Sequence, residues 1–371
     1  MKIGILSMQD VNNFGSVLQA YGLKKMVESL GHEVVFFRII PNKEDDRLIE
    51  QKEEYLEDHE LSWNTTILKK IDRYLLVRII QKICKERQNR IFSDFRHKYL
   101  STSNDRERCN VCIIGSDEVF NCMLSSKWGF TSQLFGNIPN ADSVITYAAS
   151  CGSTRIEAVP EAVRNKIKDA FTSIRAFSVR DNNTNTFVAS LTDKEIIESL
   201  DPVVISNYDK EIASVTLPSF FSTHKYCIVY SYPNRFHSPE DINNIVSFCK
   251  KRRLSLVTLG GYQTWINNSF ALSPFQLLKA FRGADFIITD TFHGTIFSEK
   301  YAKRYAVLVR RSNSNKLEDL ITRLSIECHQ INDTKELDVA YKHTNDFIHI
   351  RELENMEYRN SLHYLQEHLR D

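Results

Sequence analysis

The stretch KIGILSMQDVNNFGSVLQAYGLKKMVESLGHEVVFF, residues 2–37, decides the fold class of this chain. It opens with a short apolar run, passes through a polar loop, and then places apolar side chains at helical spacing over residues 23–30. Gly31 is typical of the residue just after a helix, and a second apolar run follows it. The order strand, helix, strand predicts a βαβ unit with parallel strands.

Strand-like and helical patterns alternate through the rest of the chain. The strand-like runs are residues 111–114, 143–148, 176–179, 226–230, 254–259, 286–289 and 305–309, and helical patterns cover 159–174, 239–252 and 274–282. Continuous apolar runs are typical of parallel strands that are covered on both faces. The sequence therefore predicts an α/β fold with two Rossmann-like domains and a cleft between them.

The length of 371 residues also favours more than one hydrophobic core. We predict an N-terminal domain at 1–205 with a helical insertion at about 44–100. A polar connector at 206–223 leads to a C-terminal domain at 224–340. A final helical segment at 341–371 is expected to pack back on the N-terminal domain.

The charge of the chain is balanced, with 48 Lys and Arg residues against 47 Asp and Glu residues. This balance provides no global field for nucleic acid, so we expect no nucleic-acid partner and only local anion sites. The N-terminus lacks a signal-peptide pattern, and apolar runs fall short of the roughly 20 residues of a transmembrane helix. The expected location is the cytoplasm.

The predicted insertion contains an acidic segment at 44–60 and a basic segment at 69–98. The basic segment has apolar residues at helical spacing, among them Ile79 and Ile83. It is either a helix that covers the core with a solvated charged face or a peripheral contact with anionic lipid. Pairing with the acidic segment would also explain the charge.

The eight cysteines indicate buried thiols more than a metal centre. Cys109 and Cys112 form an isolated CxxC pair, and Cys112 lies within a strand-like run. Because a structural zinc ion requires about four ligands, we predict structural cysteines and no metal.

Polar residues that follow strand-like runs are the candidate functional residues, since ligands of open α/β sheets bind beyond the carboxyl ends of the strands. Asn13 and Ser16 lie where the first helix begins, and suit either a substrate or helix capping. Asp117 and Asn121 follow the next run and suit sugar hydroxyls, with Asp117 a candidate base or a helix cap. Tyr147 begins a run of small residues that permits close approach of a substrate.

Arg180 stands at another predicted strand end. Its guanidinium suits bidentate binding of a carboxylate or phosphate. The alternative is an ion pair with Asp181 or with another acidic residue.

The densest group of functional side chains is the sequence 289–295, between a predicted buried strand and a helix. Thr291, Phe292, Gly294 and Thr295 place hydroxyls and backbone N–H groups at the helix start, which suits a phosphate. His293 is a candidate proton donor or anion ligand, because a bound multiply charged anion favours the protonated imidazole. A purely structural histidine is the alternative.

With these motifs taken in order, the sequence resembles the polysaccharide pyruvyl transferase family. The matching segments are residues 13–21, 115–121, 147–150, 178–181, 201–202 and 289–295. The resemblance implies a fold similar to GT-B glycosyltransferases and transfer of pyruvate from phosphoenolpyruvate to a sugar as a cyclic ketal, without a further cofactor. It also implies that Arg180 and His293 contact phosphoenolpyruvate, with the donor on the C-terminal domain and the sugar or glycan acceptor on the N-terminal domain.

Two other functions remain as alternatives at this point. A GT-B glycosyltransferase would use the same architecture to bind a nucleotide-sugar. An inactive glycan-binding protein would keep the fold without the chemistry.

Overall fold

The computed structural model describes residues 1–49, 69–102, 107–123, 128–310 and 314–370. Within these ranges, strands and helices alternate along the chain as predicted. The strands are β1 (Lys2–Leu6), β2 (Glu33–Phe36), β3 (Cys109–Asp117), β4 (Ala141–Ala149), β5 (Ile174–Val179), β6 (Ile196–Glu198), β7 (Tyr226–Tyr230), β8 (Ser255–Leu259), β9 (Asn268–Ser269), β10 (Phe286–Thr289), β11 (Tyr305–Leu308) and β12 (Gln330–Ile331). The helices are α1 (Phe14–Ser29), α2 (Lys43–Asp46), α3 (Lys69–Tyr99), α4 (Glu161–Phe171), α5 (Asn182–Ala189), α6 (Pro202–Ile205), α7 (Asp209–Ser214), α8 (Phe220–Thr223), α9 (Pro239–Lys251), α10 (Pro274–Gly283), α11 (Phe292–Tyr301), α12 (Ser314–Leu324), α13 (Leu337–Ala340) and α14 (Phe347–His368).

The strands of the described residues form two sheets of six strands each, and all pairs are parallel. The first sheet has the order β2-β1-β3-β4-β5-β6, and the second has the order β12-β11-β10-β7-β8-β9. Two parallel sheets with intervening helices are two Rossmann-like domains, so the predicted α/β class with two such domains is confirmed. The short strands β6, β9 and β12 lie in stretches where the sequence analysis predicted no strand, because two or three residues are too few to show a periodic pattern.

The chain divides into two compact units. Unit 1 comprises Met1–Tyr55, Arg96–Asn207 and Arg351–Asp371, and unit 2 comprises Leu56–Phe95 and Tyr208–Ile350. The domain boundaries predicted from the sequence stay a prediction. Of the predicted insertion, the described residues 69–95 group with unit 2, and the predicted connector 206–223 contains the short helices α7 and α8.

Unit 1 begins with the predicted βαβ unit. The side chain of Asn13 accepts hydrogen bonds from the N–H groups of Gly15 and Ser16 and so caps α1. Gly31 follows the helix with φ +85°, a left-handed conformation that glycine adopts without steric cost. These two local signals explain why the sequence was sufficient to predict the beginning and end of α1.

The core of unit 1 is rich in aromatic side chains. The ring of Phe120 stacks on Phe135 at 5.1 Å between centroids, and Phe171 packs edge-on against Phe177 at 4.9 Å. All four rings are fully buried, and contacts of this geometry add to the stabilisation from area burial. This packing holds α4 against the sheet whose carboxyl edge carries the candidate residues.

The C-terminal helix α14 joins unit 1 from Arg351 onward. The hydroxyl of its buried Tyr364 donates a 2.9 Å hydrogen bond to the backbone oxygen of Thr146 in β4. The ring of Tyr364 also lies 6.3 Å from that of Tyr147. These contacts attach α14 to β4 within unit 1.

The basic helix α3 differs in part from its predicted amphipathic pattern. Ile83, predicted on the apolar face, is 58% exposed, because Phe92 and Phe95 supply the buried face further along the helix. Gln88 fastens α3 within unit 2 through two hydrogen bonds to the backbone of Leu272, at 2.9 and 3.1 Å. The side chain of Ile79 lies outside the described residues.

The acidic segment is described only as far as Ile49, and residues 50–60 lie outside the described residues. Asp45 is buried and pairs with Lys166 at 2.8 Å, and it accepts a hydrogen bond from the N–H of Ser132. The pairing of the acidic segment with the basic segment stays a prediction. Burial opposes the charge of this carboxyl, but the hydrogen bonds from Lys166 and Ser132 together lower the pKa of Asp45 below its ordinary value.

Cys109 and Cys112 are buried free thiols on β3. No helix in the described part of the chain is long and apolar enough to cross a membrane.

Candidate functional site

Each sheet has one point where the strand order reverses, and polar side chains gather at both points. In unit 1 the chain continues from β1 to β2 on one side and places β3 on the other. In unit 2 it continues from β7 to β8 on one side and places β10 on the other. Ligands of open parallel sheets bind beyond the carboxyl ends of the strands at such switch points. The topology therefore indicates one candidate position in each unit.

The unit 1 cluster is built around Asp117 at the end of β3. The strand continues through this residue, whereas the sequence analysis ended it at Ile114, because Gly115 and two polar residues interrupt the apolar run. Asp117 is buried and adopts φ +77°, a left-handed conformation that asparagine and aspartate tolerate better than most residues. Ser16, at the start of α1, donates a 2.7 Å hydrogen bond to its Oδ2.

Arg180 follows β5 and is held by two carboxylates. Its Nη1 lies 2.8 Å from Asp201 Oδ2 and 3.6 Å from Asp117 Oδ1, and the residue is only 4% exposed. Burial by itself disfavours the charge, but Asp201 and Asp117 outweigh it and raise the pKa of Arg180 above its ordinary value. The ion-pair alternative is thus seen, and the donor contact of Arg180 stays a prediction.

Asp201, and not the adjacent Asp181, is the ion-pair partner closest to Arg180. Its Oδ2 also accepts a 3.2 Å hydrogen bond from Ser116, while its Oδ1 accepts one from the N–H of Val203 at 2.9 Å and caps α6. In the sequence this residue is part of a matching Asp-Pro pair, to which no role was assigned. The Asp-Pro order, which is typical of a helix start, was the available signal.

Asp181 has a different task. Its Oδ1 accepts a hydrogen bond from the N–H of Thr184 at 2.9 Å and caps α5, and its Oδ2 accepts one from the Ser150 hydroxyl at 2.7 Å. Adjacent residues therefore separate, with Arg180 turned into the cluster and Asp181 fixed to the neighbouring helix.

The other predicted acceptor residues lie around this cluster in three different settings. Asn13 caps α1, as the alternative interpretation had it. Asn121 donates to Glu118 at 2.8 Å and accepts from the Thr154 hydroxyl at 2.7 Å, so it belongs to a neighbouring network. Tyr147 is fully buried against α14, and this burial raises the pKa of its hydroxyl. The structure brings Ser16, Asp117 and Arg180 together, and the substrate contacts of the others stay predictions.

In unit 2, Thr291 and Gly294 shape the start of α11. The Thr291 hydroxyl caps the helix by accepting a 3.0 Å hydrogen bond from the N–H of Gly294, and the Thr295 hydroxyl donates to the backbone oxygen of Thr291. A Cβ on Gly294 would lie 2.1 Å from Thr289 Oγ1 and 2.6 Å from Tyr230 Cδ1. Only glycine lets the helix approach the ends of β7 and β10 this closely.

His293 lies in the first turn of α11 and is half-buried. Its ring is near-parallel to that of Phe297 at 6.1 Å and perpendicular to that of Phe292 at 5.4 Å. These contacts with two aromatic rings fix the imidazole at the helix N-terminus, directly after the strand end of β10.

Three residues that received no role from the sequence complete this strand end. Asp290 follows β10 with a fully buried carboxylate, and its Oδ1 accepts a 2.6 Å hydrogen bond from Ser231, the residue after β7. Its Oδ2 lies 3.0 Å from Arg235 Nε and 3.7 Å from Arg310 Nε. Burial raises the pKa of Asp290, although Arg235, Ser231 and Arg310 oppose that rise.

The sequence contains little that marks the two arginines as part of this group. Arg235 lies in an irregular loop beyond β7, and Arg310 is one of two adjacent arginines beyond β11. Each arginine follows a predicted strand, and this position was the available signal. That both contact Asp290 depends on which strands are neighbours in the sheet.

Two Rossmann-like sheets, each with a polar cluster at its switch point, give the chain a fold of the GT-B type. Trehalose-6-phosphate synthase OtsA has a similar solved structure, with a TM-score of 0.50, 10% identity, and coverage of 99% of this chain and 97% of that chain. The model of the polysaccharide pyruvyl transferase family matches residues 13–310, and the chain belongs to this family. It is accordingly a transferase.

Two further solved structures are similar at lower TM-scores. The glycosyltransferase SsfS6 of Streptomyces sp. SF2575, complexed with thymidine diphosphate, has a TM-score of 0.47 and 11% identity, with 99% of this chain and 98% of that chain covered. UDP-GlcNAc 2-epimerase from Methanocaldococcus jannaschii has a TM-score of 0.45 and 11% identity, with 96% and 100% covered. No curated protein matches the sequence.

Proposed function

We propose that the chain transfers the pyruvyl group of phosphoenolpyruvate to a sugar of a polysaccharide or lipid-linked glycan, forming a cyclic ketal and releasing phosphate. The family match over residues 13–310 carries this proposal. The matched span includes Asp117, Arg180 and His293, which lie near the carboxyl ends of parallel strands. That position supports a role in ligand binding.

The proposed chemistry is balanced without another reactant. A proton adds to the methylene carbon of the enol ester, which makes the central carbon electrophilic. One sugar hydroxyl adds to that carbon, the phosphate leaves, and a second hydroxyl closes the ketal. The two hydroxyls lose two protons, of which one replaces the proton given to carbon and the other leaves with phosphate. Phosphoenolpyruvate is therefore the proposed donor substrate, and we propose no further cofactor.

The residues take distinct roles in this proposal. His293 is the proposed acid, since its imidazole is fixed at a helix N-terminus where a bound phosphate would favour protonation. Asp117 is the proposed base for a sugar hydroxyl, and the bond from Ser16 sets the direction of its carboxylate. Arg180 is assigned to the donor by the family resemblance. Because Asp201 and Asp117 already balance its charge, it would contribute directed N–H groups more than net positive charge.

The proposed acceptor is either a polysaccharide or a lipid-linked glycan. If the acceptor is a lipid-linked glycan, the basic segment 69–98 would bind the protein to the membrane surface that holds this acceptor. If the charged face of the segment is only solvated, the protein would not bind membranes. Flotation with anionic and with neutral vesicles at low salt separates the two, because only electrostatic lipid binding is lost with neutral vesicles.

Purified protein incubated with phosphoenolpyruvate and candidate glycans tests the function. We expect phosphate release that depends on the glycan, together with the mass gain of one pyruvyl ketal on the glycan. Transfer from a nucleotide-sugar with phosphoenolpyruvate unchanged would instead establish a glycosyltransferase. Binding of glycan without either reaction would establish a glycan-binding protein.

A further inference from the structure

Three neighbouring strands of the second sheet end in a compact group of charges. In the order β11, β10, β7, their carboxyl ends lead to Arg310, Asp290 and Arg235. The central strand pairs with β11 on one side and with β7 on the other. The group thus lies at the switch point of unit 2, at the position where parallel sheets bind ligands.

The two arginines are neighbours because they share one oxygen atom. Arg235 Nε and Arg310 Nε lie 3.0 and 3.7 Å from the same Oδ2 of Asp290, whose carboxylate is fully buried. The arginine side chains are only partly buried, at 17% and 28% exposure. The carboxylate is therefore enclosed, whereas the cations that it holds reach the surface of this strand end.

Aromatic rings restrain the same guanidinium groups. The guanidinium carbon of Arg310 lies 5.0 Å from the centre of the Phe236 ring, and that of Arg235 lies 5.5 Å from the Tyr232 ring. Such stacking limits the freedom of a long side chain before any ligand arrives. Less conformational entropy is then lost on binding, which favours affinity.

Two carboxylates approach the pair of arginines. Asp290 faces both arginines, and Asp241 approaches Arg310 Nη2 at 3.5 Å while it also accepts a hydrogen bond from the Thr334 hydroxyl. Arg235 and Arg310 thus share the buried carboxylate of Asp290, and Arg310 also approaches the partly exposed carboxylate of Asp241. A buried carboxylate is costly to maintain, and here it fixes two partly exposed guanidinium groups side by side.

We propose that Arg235 and Arg310 bind two adjacent anionic groups of the donor, namely the carboxylate and the phosphate of phosphoenolpyruvate. This assignment rests on the proposed function. In phosphoenolpyruvate both groups are attached to the same carbon, so two neighbouring guanidinium groups suit one anionic group each. Guanidinium is the side chain best suited to both oxyanions, because it donates two parallel N–H bonds to each. A nucleoside diphosphate also carries two adjacent anionic groups, so the experiment includes both ligands.

Equilibrium binding of phosphoenolpyruvate and of UDP to the full chain tests the assignment, by calorimetry at one fixed salt concentration. We expect Arg235→Met and Arg310→Met each to weaken phosphoenolpyruvate binding about tenfold or more, as for the loss of a charged hydrogen bond. Arg235→Lys and Arg310→Lys keep the charge but lose the two-pronged geometry, and should fall between wild type and the Met variants. Thermal unfolding of each variant shows that it is folded.

Arg282→Met is the matched control, since Arg282 also pairs with one aspartate, Asp209, but lies at the end of α10. Its phosphoenolpyruvate affinity should equal that of wild type. Unchanged affinity in folded Arg235→Met and Arg310→Met variants would overturn the inference and leave pyruvyl transfer standing.

The second ligand separates this inference from the proposed function. Wild-type protein that binds UDP but not phosphoenolpyruvate, with UDP binding lost in the Arg235 and Arg310 variants, would keep the arginine pair as an anion site and overturn the pyruvyl donor. Affinity for neither ligand would overturn both.

Discussion

Arg180 and Asp201 illustrate how one buried residue depends on another in unit 1. The guanidinium is almost completely enclosed, and its closest carboxylate lies 2.8 Å away. Enclosing either charge alone would cost several kcal/mol, whereas the pair with its additional hydrogen bonds is tolerated. Asp201 is therefore as important to the position of Arg180 as β5, the strand that directly precedes this residue.

Asp201→Asn should lower the free energy of unfolding by about 3 kcal/mol, because it leaves the buried charge of Arg180 without its closest partner. Chemical denaturation at neutral pH measures the change. The control is Asp209→Asn, which removes the partner of Arg282 from an exposed pair and should cost less than about 1 kcal/mol. Equal losses in the two variants would show that the buried pair contributes no more than a surface pair.

His293→Gln should lower kcat for phosphate release about 100-fold or more and leave KM for phosphoenolpyruvate nearly unchanged. The reason is that a general acid acts in the transition state, whereas glutamine can still hydrogen-bond to a bound anion. Steady-state kinetics with a glycan acceptor provides both constants. His224→Gln alters an exposed histidine of the same unit and should retain full activity. A rise in KM alone would make His293 an anion ligand and not the acid.

At the scale of elements, the position of the candidate residues follows from how helices attach to the carboxyl edges. Helix α11 reaches the strand ends because Gly294 has no Cβ to contact Thr289 and Tyr230. Helix α14 supports β4 from the far end of the chain through Tyr364. Both attachments are contacts between a helix and a strand edge, and neither follows from the periodicity of the helix itself.

Tyr364→Phe should lower the free energy of unfolding by about 1 kcal/mol, because the backbone oxygen of Thr146 loses a buried hydrogen bond while the ring packing remains. Tyr358→Phe changes a less buried tyrosine of the same helix and serves as the control. Urea unfolding compares the two variants with wild type. If the two variants are equally stable, the contact with β4 does not hold α14 in place.

At the scale of the whole molecule, the pH dependence of stability should contain a contribution from His329. This histidine is buried against the ring of Tyr305 at 3.9 Å between centroids, and its Nδ1 donates to the backbone oxygen of Tyr305. Burial lowers its pKa to about 4, which exceeds the opposing effect of the hydrogen bond. The ordinary value is 6.5, so the unfolded chain binds the proton more strongly than the folded chain between these two values.

The free energy of unfolding should therefore decrease as the pH falls from about 6.5 to about 4, by up to about 3 kcal/mol from this one group. Above that window the contribution is fully present. Denaturation curves at a series of pH values measure the slope. His329→Gln removes the titrating group and should flatten the curve over the same window, and an unchanged slope in that variant would contradict the assignment.

The alternation of strands and helices could be predicted from the sequence because each element has a local signal, such as apolar periodicity, a capping asparagine or a glycine after a helix. The motif containing His293 could be located for the same reason, since a polar run between a strand and a helix is a local pattern. The partners of these residues could not be predicted in this way. Arg180 pairs with Asp201 and not with its neighbour Asp181, because the backbone directs adjacent side chains apart.

By itself, therefore, the sequence determined the fold class, most of the elements and the strand ends at which the candidate functional side chains lie. Only the tertiary structure decided that Arg235, Asp290 and Arg310 meet, because it places β10 between β7 and β11. Strand order is set by the packing of helices on both faces of the sheet, and a local pattern contains no information on which strands become neighbours. The physical reason is that periodicity reports the environment of one element, whereas a charge cluster depends on contacts between residues far apart in the chain.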